Sequence, residues 1–315
     1  MSTGNVLIIL NTFNRGHLIR ETLESIRNQT YTDFECVIID DFSTDDSTTV
    51  INSFISNDPR FSYYRKSTYH NPGLSAGRNY GLEISHERDP EFIQFFDDDD
   101  IMHPRKLELQ IKALESDSSA KFCLCGSLNF KNMSDINWNE TEKNEFDGKY
   151  SIGEAYLKGN IRFVAQVPLF RYSYARNFHF DEDLFYAEEW ALFSMHFLQN
   201  EPEYVNLDRV LFYRRKHSNS ITEGHDVDFK KRKTSAITGI KIFDFLEEKN
   251  CHTRVTLLYF IRQFLLYRYD SKLLNRIKVY MQSDIQINKF DLYRFQLAIW
   301  IHWFFRKAIL RLLNF

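Results

Sequence analysis

The sequence predicts an α/β fold: a mainly parallel sheet flanked by helices, followed by a helical C-terminal region. Three observations predict it. Short apolar runs alternate with segments of helical period across residues 6–96. The runs end on polar groups, at Thr12/Asn14, at Asp40/Asp41 and at Asp97–Asp100. Beyond residue 226 the pattern is helical only.

Val6–Leu10 is a continuous apolar run, as expected of a strand buried on both faces. A loop over 11–15 follows, and His17–Asn28 carries Leu18, Ile19, Leu23 and Ile26 at helical spacing. Phe34–Ile39 is a second buried strand ending on Asp40-Asp41. Ser43–Ser47 is rich in helix-capping residues and opens a helix through Val50, Ile51, Phe54 and Ile55. Phe61–Tyr64 is a third strand, and Asn71–Asn79 is expected as a loop entering a helix at Tyr80–Ser85. Phe92–Phe96 is the fourth strand and runs directly into four carboxylates. Right-handed crossovers between such strands give a parallel sheet, whose ligands bind outside the carboxyl ends of the strands. The three polar strand ends should therefore meet in one crevice.

Further on, Lys106–Ser116 reads as a helix, Lys121–Gly126 as a strand, Tyr150–Leu157 as a short helix and Phe163–Arg171 as a strand. The polar stretch over 131–149 reads as a variable loop. Helices are expected over Ile237–Leu246, Val255–Tyr269, Leu273–Met281 and Leu292–Leu313.

With 315 residues, 43% hydrophobic and 26% charged, the chain is globular and long enough for two domains. The net charge of −3 hides an asymmetry. Residues 254–315 hold eleven Lys/Arg against three Asp/Glu, a local +8, which leaves the rest at −11. A nucleic-acid partner is not expected of so acidic a body. The cysteines Cys36, Cys123, Cys125 and Cys251 have no metal-finger spacing and are expected reduced. Met1–Asn5 carries no basic leader, so a cytoplasmic chain is expected.

There is no GxGxxG after the first strand and no GxxxxGK[ST], which argues against a dinucleotide enzyme and a P-loop NTPase. Four adjacent acids closing a buried strand need compensating charge, which a divalent cation and a bound polyphosphate would supply. The plain alternative is a solvated acidic loop.

Together Val6–Arg15, Val37–Asp46, Gly73–Gly81 and Phe95–Pro104 resemble the motifs of family 2 glycosyltransferases, which have the GT-A fold. Asn11-Thr12-Phe13-Asn14-Arg15 is similar to the family's Pro-Thr-Tyr-Asn-Arg segment, and Ile39–Asp45 to its Val-Asp-Asp-Gly-Ser-Thr-Asp pattern, with Phe42 in place of Gly. Asp97–Asp100 resembles Asp-x-Asp-Asp, and Phe178–Trp190 the Phe-Asp-Glu…Glu-Asp signature, with Glu188-Glu189 at its end.

The resemblance implies a catalytic domain over 1–225, split into a nucleotide-sugar half (1–105) and an acceptor half (106–225), and a helical region over 226–315. It implies nucleotide binding by Thr12, Asn14, Asp41, Arg78, Asp97, Asp98 and Arg215. Asp99 and His217, with the basic Arg214-Arg215-Lys216 run, would hold Mn²⁺ or Mg²⁺ and the diphosphate. Glu189 would be the base that deprotonates the acceptor hydroxyl, with Glu188 the alternate base. The alternative for these two acids is a helix N-terminus favoured by the helix dipole. The implied partners are a nucleotide-sugar donor, UDP-linked, and a glycan or lipid-linked acceptor in surface polysaccharide synthesis. A non-catalytic scaffold of the same fold is the competing reading; a nucleotidyltransferase would need a glycine-rich basic loop after the first strand.

The stretch Leu297–Leu313 is basic, aromatic and amphipathic. It is suited to peripheral contact with an anionic membrane, on the inner face of the cell membrane. Packing on the catalytic domain or in a homodimer is the alternative.

Overall fold

A computed structural model of the chain describes residues 5–142, 148–184, 186–216 and 227–267, with 276, 277, 279, 293, 297 and 300. The first half alternates as expected: β1 (Val6–Thr12), α1 (Gly16–Arg27), β2 (Phe34–Asp40), α2 (Ser47–Ile55), β3 (Phe61–Arg65), α3 (Leu74–Arg88) and β4 (Phe92–Asp97). Then come a two-residue β5 (Ile101–Met102), α4 (Lys106–Ser116), β6 (Phe122–Phe130), α5 (Ile152–Lys158), β7 (Leu169–Arg171), the short α6 (Tyr172–Ala175), α7 (Glu188–Asn200) and β8 (Tyr204–Arg215). Two long helices follow, α8 (Val227–Glu248) and α9 (Arg254–Tyr267).

The strands form one eight-stranded sheet in the order β3-β2-β1-β4-β7-β6-β8-β5. The four strands from β3 to β4 are parallel, and every residue of β1 is buried, as its unbroken apolar run requires. Strand β7 runs antiparallel to both β4 and β6, and β5 antiparallel to β8. The sheet is therefore parallel on the N-terminal side and mixed beyond β4.

Two boundaries differ from expectation in ways that matter for the site. The segment expected as a loop up to Asn79 is already helical from Leu74. Gly77 and Gly81 weaken the local helix signal, but they lie one turn apart on the same face. A Cβ at Gly81 would meet Ile9 Cγ2 at 2.3 Å, and one at Gly77 would meet Asn11 Oδ1 at 2.1 Å. The absent side chains let α3 lie directly on β1, which carries Arg78 to the strand ends. Of the expected strand over 163–171, only Leu169–Arg171 pairs. Pro168 lacks an N–H for a ladder, and the Val167 carbonyl is already taken by Lys106 Nζ (3.1 Å) and Gln110 Nε2 (3.0 Å). The predicted strand from Lys121 is longer than expected, reaching Phe130 beside β8.

The main core fills the space between the sheet and its helices. A second apolar cluster joins α8 and α9 to α5 and α7, through Ile242, Phe243, Leu246, Leu257 and Phe260 against Leu157, Ala191 and Leu198. No helix among the described residues is long and apolar enough to cross a membrane. Most of the predicted Leu273–Met281 and Leu292–Leu313 helices lies outside the described residues. Tyr293, Leu297 and Trp300 are described, and all three are helical and exposed.

Candidate active site

A cleft of about 1450 Å³ opens at the carboxyl ends of β1, β2 and β4. Its lining includes Thr12, Asp41 and Asp97–Asp100 from the strand ends, and Glu188, Glu189 and Trp190 from the start of α7. The strand ends are joined directly. Asp41 N–H donates to Thr12 O at 2.9 Å, and Phe13 N–H donates to Asp98 Oδ2 at 3.1 Å. Tyr156, and Ala236 and Tyr259 of the C-terminal helices, also line the cleft.

The four acids are not one cluster, because each carboxylate has its own setting. Asp97 accepts from Gln166 Nε2 and from Arg78 Nη2 (3.4 Å). Asp98 accepts from Phe13 N–H, with Arg15 Nε 4.0 Å away. Asp100 Oδ1 accepts from Arg215 N–H at 2.9 Å. Asp99 lies on the cleft wall, and its carbonyl accepts from Arg215 Nε at 2.8 Å. Burial, then Asp99's charge, pushes Asp98's carboxyl up to about 8. The same two causes, with Asp97's charge added, raise Asp100 well above the usual carboxylate range. The carboxylates thus turn to separate partners, and burial with their mutual charge disfavours ionisation of Asp98 and Asp100.

Arg78 lies at the centre of the site but not on its surface. It is fully buried, and its fork reaches three acids: Nη1 to Glu188 Oε1 at 3.1 Å, and Nη2 to Glu189 Oε1 at 2.8 Å and Asp97 Oδ1 at 3.4 Å. Its plane lies over the Phe180 ring at 5.1 Å. Burial disfavours its charge, but Glu189, Asp97 and Glu188 outweigh that and hold it firmly protonated. Burial raises Glu189 to about 7, as do the charges of Glu188 and Asp97, against the opposing pull of Arg78. Burial likewise raises Asp97. Glu188 and Glu189 open α7 behind Ala187, whose φ of 66° makes the sharp entry.

The remaining expected residues divide between rim and support. Asp41 accepts from Gly73 N–H at 2.7 Å and pairs with the buried Lys66 ammonium. Asn14 clamps the next loop: its Oδ1 accepts from Thr44 N–H at 2.8 Å and its own N–H donates to Ser43 Oγ at 2.9 Å. Arg215 lines the cleft while its guanidinium reaches Glu21 Oε2 at 2.5 Å and lies over the Phe130 ring at 4.6 Å. Phe42 takes φ 65°, the left-handed conformation natural to the glycine of the family motif. His217 lies outside the described residues.

Sequence reading missed Gln166 and the C-terminal helices as parts of this cleft, and Lys66 as the buried partner of Asp41. Gln166 is set by a buried polar relay. Lys106 Nζ donates to Gln94 Oε1 (2.5 Å) and Gln110 Oε1 (2.6 Å), and Gln94 Nε2 donates to Gln166 O (3.0 Å). A lysine and glutamines at apolar-run positions were the available signal. Among the described residues no three His, Cys, Asp or Glu side chains form a ready-made metal cage.

Comparison with known proteins agrees with this geometry. The family model "Glycosyl transferase family 2" matches residues 7–177. An uncharacterized glycosyltransferase of Rickettsia bellii is 35% identical over 115 residues, 36% of this chain, and the chain spans only 16% of that protein. The GalNAc(5)-diNAcBac-PP-undecaprenol beta-1,3-glucosyltransferase of Campylobacter jejuni is 28% identical over 218 residues, covering 69% of this chain and 67% of that one. The crystal structure of S. aureus TarS 1-349 in complex with UDP-GlcNAc superposes with a TM-score of 0.58 at 18% identity, covering 93% and 79% of the two chains. The mannosyltransferase PcManGT from Pyrobaculum calidifontis, in complex with GDP-Man and Mn²⁺, superposes at 0.51 with 14% identity, covering 88% and 85%. With the strand order, the cleft at the strand ends and more than half of its length matched by the family model, the chain belongs to glycosyl transferase family 2 and has the GT-A fold.

Proposed function

We propose that the chain is an inverting, metal-dependent glycosyltransferase. It moves a sugar from a nucleotide sugar, UDP-linked, to a hydroxyl of a glycan or lipid-linked acceptor in surface polysaccharide assembly. One observation carries this reading: Thr12, Asp41 and Asp99 line the same cleft as Glu188 and Glu189. The family membership, the UDP-GlcNAc bound by TarS and the undecaprenol-linked substrate in the name of the Campylobacter relative support it.

In this reading residues 1–105 hold the nucleotide and 106–225 present the acceptor, with 226–315 as the helical region. Thr12 and Asp41 face the base, and Asp97 and Asp98 set the ribose side of the cleft. Glu189, at the start of α7, takes the proton from the acceptor hydroxyl as it attacks the anomeric carbon. The transition state has oxocarbenium character, so a carboxylate-walled cleft also favours it electrostatically.

The donor set fits a hard divalent cation held sparingly. Asp99 supplies carboxylate oxygen on the cleft wall, and such ions commonly take one or two carboxylates and complete their shell from substrate phosphate. Asp99, with His217, would hold Mn²⁺ or Mg²⁺, and the ion would neutralise charge developing on the departing diphosphate. The Mn²⁺ in the PcManGT complex supports that assignment. The +8 balance of residues 254–315 supports a peripheral membrane contact there, with packing in a homodimer as the alternative.

A panel of UDP-, GDP- and dTDP-sugars, scored for nucleoside diphosphate release with Mn²⁺ or Mg²⁺, tests the function. Glu189→Gln should retain UDP binding and lose transfer. If Glu188→Gln does so instead, the base is Glu188.

A further inference from the structure

The family resemblance places Arg78 beside the base or diphosphate. We infer instead that Arg78 is a positioning residue for Glu189: it fixes that carboxylate on the cleft wall from behind and does not touch the donor. The inference rests on the reading of Glu189 as the base.

Geometry carries it. Arg78 has no exposed surface, and it is not among the residues that line the cleft, whereas Glu188, Glu189 and Asp97 all are. A donor in the cleft therefore meets the acids and not the arginine. Among the described residues the guanidinium's ion pairs all run to those acids, and Phe180 covers its plane.

The fork is chemically necessary. Three carboxylates on two elements, β4 and the start of α7, converge on one cation. Only a planar group with several fixed donors can serve Glu188 through one nitrogen and Glu189 and Asp97 through the other. A lysine ammonium presents its three donors from one nitrogen and could not keep this division between two. Without Arg78 three acids would face each other in a poorly hydrated space, and Glu189 would swing away or take up a proton.

The support around Arg78 points the same way. The next residue, Asn79, donates from Nδ2 to Phe180 O (2.9 Å) and Glu182 Oε1 (2.9 Å), and accepts from Phe180 N–H (2.8 Å). That pins the 180–182 segment leading into α7 to the same turn of α3. Among the described residues, the charged and titratable groups facing Glu189 are Arg78 from α3, Asp97 from β4, Glu188 from α7, Tyr156 from α5 and Tyr186 from the segment before α7. Arg78 is the single cation among them; with a backbone hydrogen bond from Ala165 it favours the ionised base, and its charge is the larger of the two effects.

The test uses the full chain with Arg78→Met and Arg78→Lys, measuring UDP affinity by calorimetry and steady-state kinetics with the most active donor of the panel. Both variants should bind UDP within about threefold of the parent. In Arg78→Met kcat should fall by about 100-fold, the scale expected when a catalytic group is misplaced, with donor KM little changed. The acid limb of its pH–rate profile should move to higher pH, and Arg78→Lys should recover part of kcat. A tenfold or larger loss of UDP affinity with kcat preserved would overturn the proposal and make Arg78 a donor contact. If Arg78→Met does not fold, the same readouts on Arg78→Lys decide. Glu189→Gln, assayed alongside, separates the two readings: transfer at the parent rate in that variant sinks the base assignment itself, whatever Arg78 does.

Discussion

The backbone N–H of Arg215 donates to Asp100 Oδ1 at 2.9 Å, joining the end of β8 to the acid run 115 residues earlier. Its side chain adds a bond to the Asp99 carbonyl and an ion pair with Glu21. Arg215→Ala keeps the first contact and loses the others, so a stability loss of about 1–3 kcal/mol is expected in urea unfolding. Unchanged stability with weakened UDP binding would instead restore the direct nucleotide contact that the family resemblance implies.

Asp99→Ala should abolish metal-stimulated diphosphate release and leave the unfolding midpoint close to that of the parent, since Asp99 sits at the cleft wall. Full activity of the parent chain in excess chelator would remove the metal from the mechanism.

Glu189 carries a carboxyl raised to about 7, chiefly by burial. A base acts in its ionised form, so kcat/KM should rise with pH through about 7, with about a tenth of the group ionised one pH unit below the midpoint. The linkage has the opposite sign for stability. Between the ordinary glutamate value and about 7 the native state binds this proton more tightly than the unfolded chain. The contribution of Glu189 to stability is therefore present at low pH and lost as pH rises across that window. A pH–rate profile flat from 6 to 8 would contradict the assignment.

Lys106 is fully buried, and its ammonium satisfies Gln94, Gln110 and the Val167 carbonyl. Burial depresses its pKa to about 8. Lys106→Met leaves the buried Gln94 and Gln110 side-chain oxygens without this donor, while the Val167 carbonyl keeps Gln110 Nε2, so a loss of about 2–4 kcal/mol is expected in thermal or urea unfolding. Because Gln94 holds the Gln166 carbonyl, and Gln166 bonds Asp97, kcat should fall as well.

Phe42, at φ 65°, tests backbone strain at the cleft rim. Phe42→Gly relieves about 1 kcal/mol of conformational cost but loosens the unfolded chain by a similar amount, so stability should be nearly unchanged. Phe42→Val puts a β-branched residue in the left-handed region and should cost about 1–2 kcal/mol. Equal melting temperatures for the two variants would show that the strain is not borne there.

What the sequence by itself determined is local. The unbroken apolar runs determined β1, β2 and β4, because a strand buried on both faces admits no polar alternation. The polar residues closing those runs pointed to the cleft, because parallel strands expose their carboxyl ends together. Helix α3 was only half legible, since the glycines that let it touch β1 are also the residues that weaken a helix pattern. The tertiary structure alone decided how the acids are used. Arg78 and Glu188 are 110 residues apart, and Lys106 and Val167 are 61 apart. A pattern along the chain carries no record of which buried charge will face which partner; that pairing is fixed by desolvation once the sheet has closed.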